Sequence, residues 1–127
     1  MKPQRIYIAA SFPRKAEAHD LARMLQDLGH LVVSRWHDEN GQSAKDDPAL
    51  WPKDAPRDVD DVLDCDIFLC LTGDTLSRGG RHTELGIALS TKKKVIILGP
   101  REQVFHALPC IDIADKWEDL RCMLDIS

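Results

Sequence analysis

Short apolar runs alternate with stretches of helical period from one end of the chain to the other, and this alternation limits the fold more than any other feature. Ile6-Tyr7-Ile8-Ala9-Ala10 has the unbroken apolar character of a strand buried on both faces. From Arg14 to Leu28 the residues Ala18, Leu21, Ala22, Leu25 and Leu28 fall on one helical face, and Gly29 follows where a helix would end. Leu31-Val32-Val33 reads as a second strand running out at Ser34-Arg35-Trp36-His37. Residues 38 to 56 are polar, rich in Asp, Gly and Pro, and read as a long loop. Asp54 then caps a helix whose Val59, Val62 and Leu63 are expected to face inward. The central strand lies within Cys65–Leu71, followed by a polar loop, Thr72 to Gly80, and a helix with Leu85, Ala88 and Leu89 on one side. Lys94–Gly99 is a further buried strand. A short helix after Pro100, a strand near Ile111-Asp112-Ile113 and a helix carrying Trp117, Leu120 and Leu124 complete the chain.

Five strands alternating with helices predict an α/β fold, a flavodoxin-like or Rossmann-like doubly wound parallel sheet. Residues 1–127 form a single domain. Ligands of such sheets bind beyond the carboxyl ends of the strands, near the switch in strand order. That directs attention to Ala10–Arg14, Trp36–Asp38, Thr72–Gly80 and Gly99–His106.

The formal net charge of −4 argues against a nucleic-acid partner, which needs a basic footprint. No apolar run is long enough for a membrane partner, and Met1-Lys-Pro-Gln-Arg lacks the hydrophobic segment of a secretory leader, so a cytoplasmic location is expected. Cys65, Cys70, Cys110 and Cys122 have neither disulfide-framework nor zinc-ligand spacing; Cys65 and Cys70 read as small buried hydrophobes.

The most informative local segment is Gly79-Gly80-Arg81-His82-Thr83-Glu84-Leu85-Gly86. Its glycines permit close backbone approach to a ligand, and a helix begins at their exit with its N–H groups directed at the site. Glu84 is expected in the first turn, where a carboxylate also simply complements the helix dipole. Its company weighs against that plain role. Tyr7-Ile8-Ala9-Ala10-Ser11, Arg57-Asp58 with Cys65-Asp66, and the Gly-Gly-x-x-x-Glu-Leu-Gly segment occur in an order that resembles the nucleoside 2-deoxyribosyltransferase family, including the 2′-deoxynucleoside 5′-phosphate N-hydrolases. The resemblance runs from Ile6 to about His106.

The resemblance implies cleavage or transfer at the N-glycosidic bond of a nucleoside or nucleotide. Glu84 matches the nucleophile that forms a glycosyl ester, Asp58 an aspartate that positions the sugar or assists the leaving base, and Tyr7 a tyrosine steering the carboxylate. Asp66 matches a second aspartate only loosely and is expected to be structural. Ser11 and Arg14 match positions that contact the sugar or a 5′-phosphate, with Ser11 also a natural helix N-cap. Trp36 either stacks on a base or closes the core edge. Ser77, with Arg78 beside it, lies in the region of the family's phosphate-binding serine, in a loop slightly longer than in the hydrolases. His82 stands where better-known members carry a smaller or aliphatic residue, and either protonates the leaving base or narrows its pocket. His106 matches a polar residue that some members lend to a neighbouring subunit, which implies a homodimer or larger homo-oligomer with Phe105 and Leu108 at the interface. No metal or organic cofactor is implied. Two alternatives share the fold: hydrolysis of a dinucleotide such as NAD, and a non-catalytic nucleotide sensor.

Overall fold

The apolar runs pair as parallel strands β1 (Arg5–Ala9), β2 (Leu31–Val32), β3 (Ile67–Leu71), β4 (Lys94–Leu98) and β5 (Ile111–Ala114). The computed structural model describes residues 1–38, 47–74 and 79–126, among which the sheet order is β2-β1-β3-β4-β5. The order reverses between β1 and β3, so the crevice for a ligand opens beyond Ala9 and Leu71. Helices α1 (Lys15–Asp27), α2 (Trp51–Asp64), α3 (Gly80–Ser90) and α4 (Trp117–Met123) cover the sheet.

β1 and β3 are central, and their apolar residues are almost completely buried; each such Ile or Leu contributes about 1.5–3 kcal/mol. Tyr7 and Phe68 are register partners whose rings stack at 5.6 Å. The one tyrosine of the chain is thereby anchored in the sheet with its hydroxyl toward α3. α1 ends as its sequence suggests. Gly29 takes a φ of +101° and donates its N–H to the Gln26 carbonyl, while the His30 N–H returns to Leu25.

α2 departs from expectation. It begins at Trp51, after a 3-10 turn at Pro48–Leu50, so the segment expected to be loop up to residue 56 is partly helical and Asp54 lies inside the first turn. The preceding turn is capped instead by Asp47, which accepts from the Ala49 N–H. Its polarity is also inverted. Val62 is buried as expected, but Val59 is 39% and Leu63 45% exposed, and Trp51 joins them outside. The buried face carries Asp54, Asp58 and Asp61. A row of carboxylates facing inward is tolerable only where cations and a polar crevice receive it.

Candidate active site

Tyr7 on β1 and Glu84 on α3 meet across the α3 side of the sheet. The phenol donates a short hydrogen bond to Glu84 Oε2 in a buried setting. Glu84 is the fifth residue of α3, one turn deeper than expected, and only 9% exposed, so dipole compensation does not account for it. Burial, then the charges of Glu84 and Asp58, push the Tyr7 phenol well above its ordinary pKa and keep it a donor.

Asp58 reaches the same place from α2. It is buried, its carboxylate accepts from Arg57 at 3.2 Å, and its charge acts on the Tyr7 phenol. Arg57 also pairs with Asp54 at 3.6 Å. Asp61, one turn along, is held by Arg35, whose Nε and Nη2 lie 3.0 and 2.8 Å from Oδ1 and whose backbone N–H donates to Oδ2. Asp66 sits at the opposite end of the sheet, where it accepts the Arg5 N–H at 2.9 Å; that bond lowers its pKa, and the role is structural.

Ser11, at the end of β1, is buried with its Oγ lacking a hydrogen-bond partner among the described residues. It does not cap the helix, because its side chain makes no capping bond. Gly79 adopts a φ of +103° as the N-cap of α3, and an added Cβ at Gly79 or Gly80 would meet nothing within 4 Å. In the first turn of α3 the His82 and Thr83 N–H groups both return to the Gly79 carbonyl. Ser77 lies outside the described residues.

Other expected contacts are already spoken for. Arg14 gives Nη1 to the Thr72 carbonyl and to Asp74, both at 2.9 Å, and Nε and Nη2 to Glu17. Trp36 is buried and donates its indole N–H to the Ile8 carbonyl at 2.6 Å, which makes it a wall of the core edge rather than an exposed stacking surface. His82 precedes Glu84 by two residues and so points to the other side of α3, toward Gln103 at 3.3 Å and the His106 ring. His106 is wholly buried within its own chain, accepting the Glu102 N–H at Nδ1, with Nε2 lacking a hydrogen-bond partner among the described residues. Burial, then His82, lowers its pKa. The Val104, Phe105 and Leu108 side chains around it are exposed.

Sequence reasoning missed Arg81, which is buried on the first turn of α3. Its Nη1 donates to the Leu71 carbonyl at 2.7 Å, and its Nη2 lies 2.9 Å from Glu102. A signal for it exists: a cation at a helix N-terminus opposes the dipole, and so calls for acidic partners nearby. His37 was also missed. It is buried after β2, with Nε2 2.6 Å from Ser34 Oγ and Nδ1 without a partner among the described residues. Among the described residues no cluster of three or more His, Cys, Asp or Glu could hold a metal, and no helix is long and apolar enough to cross a membrane. All four cysteines are free, with Cys65 and Cys70 buried.

No family model and no curated protein matches the sequence. Solved structures do match. One is a 2-deoxyribosyltransferase from Bacillus psychrosaccharolyticus, at a TM-score of 0.74 and 20% identity over 97% of each chain. Another is the CMP N-glycosidase of Clostridium botulinum, at a TM-score of 0.64 and 23% identity over 97% of this chain and 99% of that one. At those identities the likeness establishes a shared fold along nearly the whole chain.

Proposed function

We propose that this chain is an enzyme that cleaves or transfers at the N-glycosidic bond of a (deoxy)nucleoside or nucleoside 5′-monophosphate, with Glu84 as the nucleophile. The observation that carries the reading is the buried Tyr7–Glu84 hydrogen bond at the switch point of the sheet, with Asp58 facing it from α2. A carboxylate buried and oriented by a protonated phenol serves no core-packing purpose. It suits attack on an electrophilic carbon. Two enzymes whose names place them in this chemistry share the fold, which supports the same reading.

In the proposed reaction a Glu84 oxygen attacks the anomeric carbon through an oxocarbenium-like transition state. The bond from that carbon to the base nitrogen breaks and its electrons leave with the base. In this reading Asp58 assists the base or holds the sugar. Water or a second base then takes the glycosyl group from Glu84 and restores the carboxylate. Ser11 Oγ is available to the sugar's 5′ end. Arg14 reaches a 5′-phosphate only by giving up Asp74 or Glu17, so the reading rests on the glycosidic bond and not on phosphate recognition. The assembly we favour is a homodimer, with the exposed Phe105 and Leu108 at its interface.

The test is incubation with a panel of nucleosides, nucleoside monophosphates and NAD, with free base measured by chromatography. Glu84→Gln should lower base release from the best substrate by about a thousandfold or more while circular dichroism stays unchanged. Undiminished release by the variant removes Glu84 as nucleophile. Binding without release by the wild type makes the chain a sensor, and release from NAD alone makes it an NAD glycohydrolase.

A further inference from the structure

We infer that Arg81 is a positioning residue that sets Glu84 against Tyr7 by clamping the first turn of α3 to the end of β3. The inference deepens the reading of Glu84 as the reacting group and rests on it.

Arg81 lies three residues before Glu84, so both fall on the inward side of α3, and its side chain is 3% exposed. Its guanidinium spans two loops. Nη1 donates to the carbonyl of Leu71, the last residue of β3, and lies 3.7 Å from Asp74 Oδ2. Nη2 lies 2.9 Å from Glu102 Oε1, on the loop after β4, and 3.3 Å from the Asp74 carbonyl. Glu102 turns its second oxygen to the Gly73 N–H at 2.9 Å, and Asp74 Oδ2 also accepts from Arg14 at 2.9 Å. Residues 71 to 74 are therefore fastened from three sides, and Arg81 joins that fastened stretch to the helix that bears Glu84.

The alternative is that Arg81 only offsets two acids. Geometry favours the clamp. Gly79 and Gly80 leave the start of α3 without side-chain packing of its own, and Gly79 makes no side-chain cap. The bonds of Arg81 tie that turn to the end of β3 and to the loop after β4, and so fix the height of Glu84 above Tyr7. The planar fork supplies two bonds in fixed directions from one side chain, which an ammonium does not reproduce.

The chain contains a single tyrosine, so ¹³Cζ-tyrosine labelling yields one resonance that reports the Tyr7–Glu84 bond directly. Arg81→Lys should move that resonance toward its position in Glu84→Gln. It should also lower kcat by ~100-fold with KM changed less than about threefold, since misplacement of a reacting group falls on turnover. Glu102→Gln, which keeps Arg81 but weakens one arm of the clamp, should shift the resonance the same way by a smaller amount, and it decides the matter if Arg81→Lys does not fold. A wild-type resonance position in folded Arg81→Lys, or in Glu102→Gln where the lysine variant does not fold, overturns the inference. If the wild type releases no base from any substrate, the functional reading fails, while the resonance still reports whether Arg81 holds Glu84 in place.

Discussion

Acid should destabilise this protein through His37 before its carboxylates are protonated. The imidazole is buried after β2, where Ser34 Oγ accepts the Ile8 N–H and bonds His37 Nε2, and nothing among the described residues meets Nδ1. Burial first, then the neighbouring His19 on α1, lowers its pKa to about 4, with Asp38 opposing and Lys15 adding a smaller push in the same direction. The unfolded chain therefore binds a proton near pH 6.5 that the native state refuses until about pH 4. Stability from this group is complete above pH 6.5, falls as the pH drops through that window, and is gone below it. The gap amounts to ~3 kcal/mol in all, of which about 2 kcal/mol is lost by pH 5. His37→Gln retains a polar group for Ser34 but cannot titrate. Urea unfolding followed by tryptophan fluorescence at pH 7.5 and pH 5 should show the wild type losing about 2 kcal/mol more than the variant. His106, whose pKa is also lowered, is present in both proteins and cancels. Equal losses in the two would refute the reasoning, because they would mean that His37 accepts its proton in the folded state as readily as in the unfolded one.

Two further outcomes follow from the site and the surface. Tyr7→Phe removes a buried hydrogen bond to a carboxylate, worth about 1.5–3 kcal/mol, and steady-state kinetics should show kcat down by ~10–100-fold with the Phe68 stacking and the fold retained. Phe105→Glu places a charge at the expected interface and should convert a dimer to a monomer in light scattering across a dilution series. The melting temperature of the monomer itself should stay within a few degrees of an uncharged control, since the Phe105 side chain is more than half exposed in its own chain.

The parallel sheet is legible in the sequence because strands buried on both faces appear as unbroken apolar runs, and β1, β3 and β4 are of that kind. The pairing at the site is not legible from local pattern. Tyr7 and Glu84 stand 77 positions apart, and only resemblance to a family joins them before the fold does. The bond from the Glu102 N–H to the His106 ring is likewise a contact that no local pattern announces. α2 defeats the pattern altogether. Pro52 stands in the opening turn of the helix and Pro56 within it, in a stretch whose polar, proline-rich composition reads as loop. The rule that apolar residues face inward assumes that a helix covers a core. Here the inner face of α2 looks toward the crevice at the end of β1, where Arg35 and Arg57 receive Asp61, Asp58 and Asp54. A helix whose acids turn in while Val59 and Leu63 turn out gains little from burial within its own chain. The stretch of sequence hardest to read is thus the one whose inward carboxylate, Asp58, acts on the Tyr7 phenol beside the proposed nucleophile Glu84.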